Sequence, residues 1–240
     1  MNRFNAALGA GLARFLEKQT PGYVPFAVTA PKALRANLKP GDVLLVEGDK
    51  RISAAIKYLT HSTWSHAAFF TGGPADQELI EADLQAGVRA VPVSAYQHLN
   101  TRICRPVGLS PEDMAKVIGF MRGSIGKHYD LKNVIDLARY LLPTPPVPQR
   151  FRRRMLALGS GDPTRAICSS LIAEAFQSVR YPILPRPAAN GDSHAAEEIE
   201  HIRHYSLYTP RDFDLSPFFR VVKPTLEAMF DYKQVVNYGG

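Results

Sequence analysis

The chain has 240 residues, 45% hydrophobic and 21% charged, which is enough to bury a core in one large domain or two small ones. The formal net charge of +7 points to an anionic neighbour without choosing between nucleic acid, lipid headgroups and cell-wall polymer. Two cysteines, Cys104 and Cys168, supply neither a disulfide framework nor zinc-ribbon spacing, and no apolar run is long enough to span a bilayer.

The N-terminus lacks the uninterrupted apolar stretch and small-residue cleavage site of a secretory signal, so the expected compartment is the reduced cytoplasm. In residues 3–18, Phe4, Leu8, Leu12, Phe15 and Leu16 share one helical face, with Arg3, Arg14 and Lys18 off it. This reads as an amphipathic helix packed on the domain, or as a basic helix lying on a membrane surface. The Pro- and Ala-rich residues 19–40 read as an extended arm or irregular connection. Residues 1–37 are therefore set apart from a main domain over 38–222, with a tail over 223–240.

Leu38-Lys39-Pro40-Gly41-Asp42 is turn chemistry, and Val43 to Gly48 follows as a buried strand. A short helix is expected from Ile52 to Leu59, with Ile52, Ala55, Ile56 and Leu59 inward. Ala67 to Phe70 is an apolar strand, and His66 stands at its entrance. Further strands read at Leu79–Ala82, Gly87–Val93 and Thr101–Pro106, with a short helix over 94–99. Ser110-Pro111-Glu112-Asp113 starts a helix running to about Arg122, with a serine cap, proline at the first position and acids in the first turn. A loop over 123–130 leads to a helix from Leu131 to Leu142. Residues 150–154 are the densest positive patch, read as a solvated face or, with the apolar residues from 137 onward, as a surface for anionic lipid. Leu171, Ile172, Ala175, Phe176 and Val179 recur at helical spacing after Cys168. A turn or helix start at 209–213 and a last strand at 218–222 follow. Consecutive short strands followed by helices predict an α+β fold with a mostly antiparallel central sheet.

Cys168 sits where a loop becomes a helix, and there unpaired backbone N–H groups and the helix dipole favour a thiolate. The bland reading is a small buried apolar residue. A cysteine nucleophile needs a base and a group to orient it. His66 at a strand mouth and Glu81, the one acid inside Leu79-Ile80-Glu81-Ala82, are of the required types. A hairpin between their strands would set them side by side. Each alone is more simply structural: a strand histidine held in place, a strand glutamate facing water.

Pro40-Gly41-Asp42-Val43-Leu44-Leu45, Ser65-His66-Ala67-Ala68-Phe69-Phe70, Leu79-Ile80-Glu81-Ala82, Gly126-Lys127-His128-Tyr129-Asp130 and Cys168-Ser169-Ser170-Leu171 together resemble the circularly permuted papain-like amidases. These are the YiiX/YebB-like branch of the NlpC-type superfamily, with lecithin-retinol acyltransferase-like enzymes more distant. The resemblance covers roughly 38–222. Its specific point is the order histidine, acid, cysteine, because unpermuted relatives place cysteine first. It implies a permuted papain-like fold, Cys168 as nucleophile, His66 as base and Glu81 as its orienting group. Tyr129 matches a tyrosine near the site, supporting the oxyanion or lining the groove. Ser169 and Trp64 are further candidates for lining the site. The expected chemistry is amide or ester cleavage, or acyl transfer, through a thioester on a peptide, amide or lipid-ester substrate, with no cofactor and no metal.

Two rival readings remain. One is a non-catalytic module on the same fold that docks on a membrane or anionic polymer through residues 3–18 and 137–154. The other is a metal site in which His61 joins His66, Glu81 and Cys168. Cys104 reads as a packed strand residue and His128 as a solvated loop residue. No nucleic-acid motif is visible, since the basic residues lack the interleaved aromatics of a stacking groove.

Overall fold

Val43-Leu44-Leu45-Val46 is apolar at every position because the strand it forms is covered on both faces. The computed structural model describes residues 18–20, 24, 29–83, 86–127, 167–184 and 208–223. Strand β1 (Val43–Glu47) lies inside a six-stranded sheet with β2 (His66–Phe70), β3 (Leu79–Asp83), β4 (Gly87–Val91), β5 (Asn100–Pro106) and β6 (Phe219–Val222). The spatial order is β4-β3-β2-β1-β5-β6. Every pairing in it is antiparallel. This is the α+β architecture that the strand pattern predicts.

Alternation along the strands sends side chains into two cores. On one face, Val43, Leu45, Ala67, Phe69, Ile80, Ala82 and Cys104 pack against helices α3 (Pro111–Gly123), α4 (Ile167–Ser178) and α5 (Pro210–Leu215). Phe176 of α4 is fully buried there, edge-on to Phe69 and Phe219. On the other face, Leu44, Val46, Ala68, Phe70, Leu79 and Ile103 meet Leu34, Tyr96 and Leu99. Leu34 belongs to α1 (Pro31–Asn37), so the arm expected over 19–40 is corrected: part of it is a helix that covers the second face of the sheet. The pattern hid it because α1 is two turns long and starts at a proline, which helices tolerate in their first turn.

Local signals place most other elements where the sequence puts them. Ser110 caps α3, its hydroxyl accepting from the Asp113 N–H. Thr209 and Asp212 form a capping box on α5. Helix α2 (Arg51–Thr60) ends at His61, whose φ of 48° is left-handed. Gly41, at φ 96°, turns the chain into β1, and a Cβ there would stand 2.1 Å from the Met114 Sδ. The short helix expected over 94–99 is a 3-10 turn, Val93–Tyr96.

Candidate active site

His66 opens β2, and Val46 of β1 pairs with it across the ladder. The β2–β3 register aligns Phe69 with Ile80 and Phe70 with Leu79. Extending it sets Glu81 opposite Ala68, on the same face as His66 and one step diagonal to it. The hairpin expected between these strands is thus present, and it brings the two side chains together. The His66 Nε2 lies 2.7 Å from Glu81 Oε2.

Cys168 is the second residue of α4 and is 5% exposed. Helix α4 packs on β2 and β3, which carries its first turn to the mouth of β2. Cys168 is hydrogen-bonded to His66 and accepts the backbone N–H groups of Ala67 and Ser169. Phe70 N–H points to Asp42 on the β1 side. By alternation the Ala67 N–H points toward β3, and the sulfur takes it. With Nε2 engaged by Glu81, Nδ1 is the ring nitrogen left for Cys168.

The electrostatics follow from this chain of contacts. Burial alone would lower the His66 pKa, but the charge and hydrogen bond of Cys168, then those of Glu81, together raise it from 6.5 to about 10. Burial would raise the Glu81 pKa, yet the His66 hydrogen bond and charge, the Tyr96 hydrogen bond and the Arg89 charge bring it from 4.5 down to about 2. Burial likewise opposes ionisation of Cys168, and the imidazolium with the two N–H donors outweighs it, so its pKa is lowered. Both shifts favour a thiolate–imidazolium pair anchored on a carboxylate.

Two residues of this network carry no motif signal. Tyr96 donates its hydroxyl to Glu81 Oε2, and its oxygen lies 3.0 Å from His66 Nε2. Burial and the Glu81 charge push the Tyr96 pKa well up, so it stays a donor. Arg89, opposite Glu81 in the β3–β4 register, holds Oε1 through Nε at 2.9 Å and Nη2 at 2.8 Å. The strand pairing of Glu81 with Arg89 could have been read once the β3–β4 hairpin was drawn. Tyr96 lies on the 3-10 turn found where a short helix is expected, and no motif marks its side chain.

Ser169 is fully buried and donates its hydroxyl to the Tyr208 carbonyl, so its part in the site is its backbone N–H. Trp64 is 6% exposed, and its indole N–H donates to Asp214 at 3.0 Å, with the Arg102 guanidinium 4.9 Å from the ring. Its cavity wall is that of a second cleft, with Arg102, Asp214 and His61, and not the cavity of Cys168. His61 is exposed and lines that second cleft, apart from His66. Among the described residues, no three His, Cys, Asp or Glu side chains are placed to hold a metal ion together. Cys104 is fully buried in the sheet, and burial pushes its thiol pKa up. Tyr129, His128 and residues 137–154 lie outside the described residues, as do 1–17. No helix among the described residues is long and apolar enough to cross a membrane.

Residues 37–140 match the family model described as permuted papain-like amidase enzyme, YaeF/YiiX, C92 family. A curated relative, the probable lipoprotein peptidase YaeF of Escherichia coli (strain K12), is 25% identical over 172 residues. That match covers 65% of this chain and 60% of the relative, so it spans less than two thirds of the relative's length. A solved structure, described as the metalloprotein yiiX from Escherichia coli O157:H7, aligns with a TM-score of 0.47 at 16% identity, over 77% of this chain and 96% of that one. The family model and the curated relative agree with the resemblance to the permuted papain-like amidases that the motifs carry. The matched segment contains His66 and Glu81, and Cys168 lies beyond it.

Proposed function

We propose, from that family resemblance and the site geometry together, that the protein is a cysteine hydrolase cleaving an amide or ester bond through a thioester. The observation that carries the reading is the single hydrogen-bonded chain Cys168–His66–Glu81, with the sulfur at a helix start. The Cys168 thiolate attacks the substrate carbonyl carbon, forming a C–S bond while the carbonyl electron pair moves to oxygen. Cys168 lies in the first turn of α4, where backbone N–H groups have no acceptor within the helix, and its own N–H is the donor for that oxyanion. Collapse of the tetrahedral species breaks the bond to the leaving group, which takes the proton from His66. Neutral His66 then deprotonates water, the hydroxide attacks the thioester, and the acid leaves as the thiolate–imidazolium pair is restored. Glu81 keeps the imidazole oriented and stabilises its positive charge, as Arg89 and Tyr96 hold Glu81 in turn.

The test combines the Cys168→Ala variant with iodoacetamide alkylation of the native protein. The variant is expected to keep the wild-type fold by circular dichroism and to lose turnover of amide and ester substrates. The Cys168 thiol is expected to react at full rate well below the ordinary thiol pKa of about 8.5. A fully active alanine variant overturns the reading, and so does a thiol that reacts only above that pKa.

A further inference from the structure

We infer that the cavity holding Cys168 contains an aliphatic subsite beside His66, built by Val46, Ile52, Ile56 and Leu99, and that the substrate carries an alkyl chain or aliphatic side chain close to the bond cleaved. This rests on the hydrolase reading above and deepens it. The cavity has a volume of about 320 Å³, and the larger part of its wall is apolar. Its lining mixes two chemistries. Cys168, His66, Glu81, Tyr96 and Arg89 belong to the first, with Ser53, Asp83 and His98 among the further polar residues. The four aliphatic residues supply the second, drawn from β1, α2 and the segment after the 3-10 turn. Val46 is the cross-strand partner of His66 and shares its face of the sheet. Ile52 and Ile56 are one turn apart on α2, and Leu99 follows the 3-10 turn that bears Tyr96.

The polar groups near the imidazole are already engaged with one another. Glu81 receives His66, Tyr96 and Arg89, and the Ser65 hydroxyl accepts the Gly48 N–H at 2.9 Å. A polar substrate group laid against the aliphatic wall would give up water without gaining a partner, which is unfavourable. An alkyl group there displaces water from apolar surface on both sides, which is favourable. Pockets of this kind take their affinity from the apolar wall and their orientation from a few polar groups. Val46 stands directly across the ladder from His66, so an alkyl group on this wall lies close to the reacting carbonyl.

The experiment needs no substrate. Native protein is alkylated at fixed pH with iodoacetamide and with N-propyl- and N-hexyl-iodoacetamide; in each case the Cys168 thiolate displaces iodide and a C–S bond forms. The rate constant is expected to rise about two- to fourfold per added methylene, the upper figure corresponding to full burial of each CH₂, until the cavity is filled. The readout is the ratio of hexyl to parent rate. In Ile56→Ser that ratio is expected to fall at least fivefold, and in Ile56→Val to fall less than twofold. Leu99→Ala, read the same way, serves if Ile56→Ser fails to fold. A ratio near one in the wild type, with iodoacetamide itself reacting rapidly below the ordinary thiol pKa, overturns the subsite and leaves the hydrolase reading standing. Slow reaction with all three reagents overturns the hydrolase reading first.

Discussion

His66 and Cys168 are hydrogen-bonded, and their opposite pKa shifts set the pH behaviour of the site. Taken singly, the raised His66 pKa contributes stability that is complete below 6.5 and gone once pH passes about 10. The lowered Cys168 pKa contributes stability that is complete above 9.0 and lost as pH falls through its folded value. Between 6.5 and 9.0 the two trends run in opposite directions and offset each other. The urea stability of wild type minus that of a His66→Gln, Cys168→Ala double variant is therefore expected to vary least across that window and to fall at strongly acidic and strongly alkaline pH. Turnover is expected to decline near pH 10, where His66 loses the proton owed to the leaving group. Tyr96 acts on the same network by donating to Glu81 Oε2, the oxygen His66 also uses. Tyr96→Phe removes that donor and leaves Glu81 a stronger acceptor for the imidazolium, so the alkaline limb of the pH–rate profile is expected to move up. The less constrained imidazole is expected to lower kcat about tenfold, less than the ~10²- to 10⁴-fold of a complete general acid–base contribution.

Helix α4 is where packing and chemistry meet. Its apolar residues Leu171, Ile172, Ala175 and Phe176 are buried against the sheet, and that docking fixes where its first turn ends. Phe176→Ala should cost about 3–5 kcal/mol of stability by urea denaturation, because a fully buried aromatic leaves a cavity that its neighbours refill only in part. The same variant is expected to slow Cys168 alkylation, since α4 would no longer press its first turn against Ala67. Helix caps were readable in the sequence because each is a local hydrogen bond: Ser110 with Asp113, and Thr209 with Asp212. Helix α1 was not, since two turns after a proline give too few positions for a period to show. The short helix expected over 94–99 is the 3-10 turn bearing Tyr96, but no motif assigned Tyr96 to the site.

Across the whole molecule the two cysteines are separated by the architecture into opposite fates. Cys104 lies within a covered sheet, where burial disfavours the thiolate and the reagent cannot reach it. Cys168 lies at the edge of that same core but opens on the catalytic cavity. Native protein is expected to take up one equivalent of iodoacetamide at neutral pH and two after denaturation, as mass spectrometry of the intact chain would show. Mapping of the native label to Cys104 would contradict the assignment.

The residue pattern alone determined the strand run from Val43 to Pro106, the capped helix at Ser110, the helix start at Cys168, and the three residue types needed for an activated thiol. These are local matters of alternation, periodicity and capping, which nearest neighbours in the chain decide. Tertiary structure alone decided that Ala67 and Ser169 aim their N–H groups at the sulfur, that Tyr96 braces Glu81, and that Trp64 and His61 face a different cleft. Those contacts depend on strand register, set between neighbouring hairpin strands, and on how α4 docks on β2 and β3, which lie far earlier in the chain.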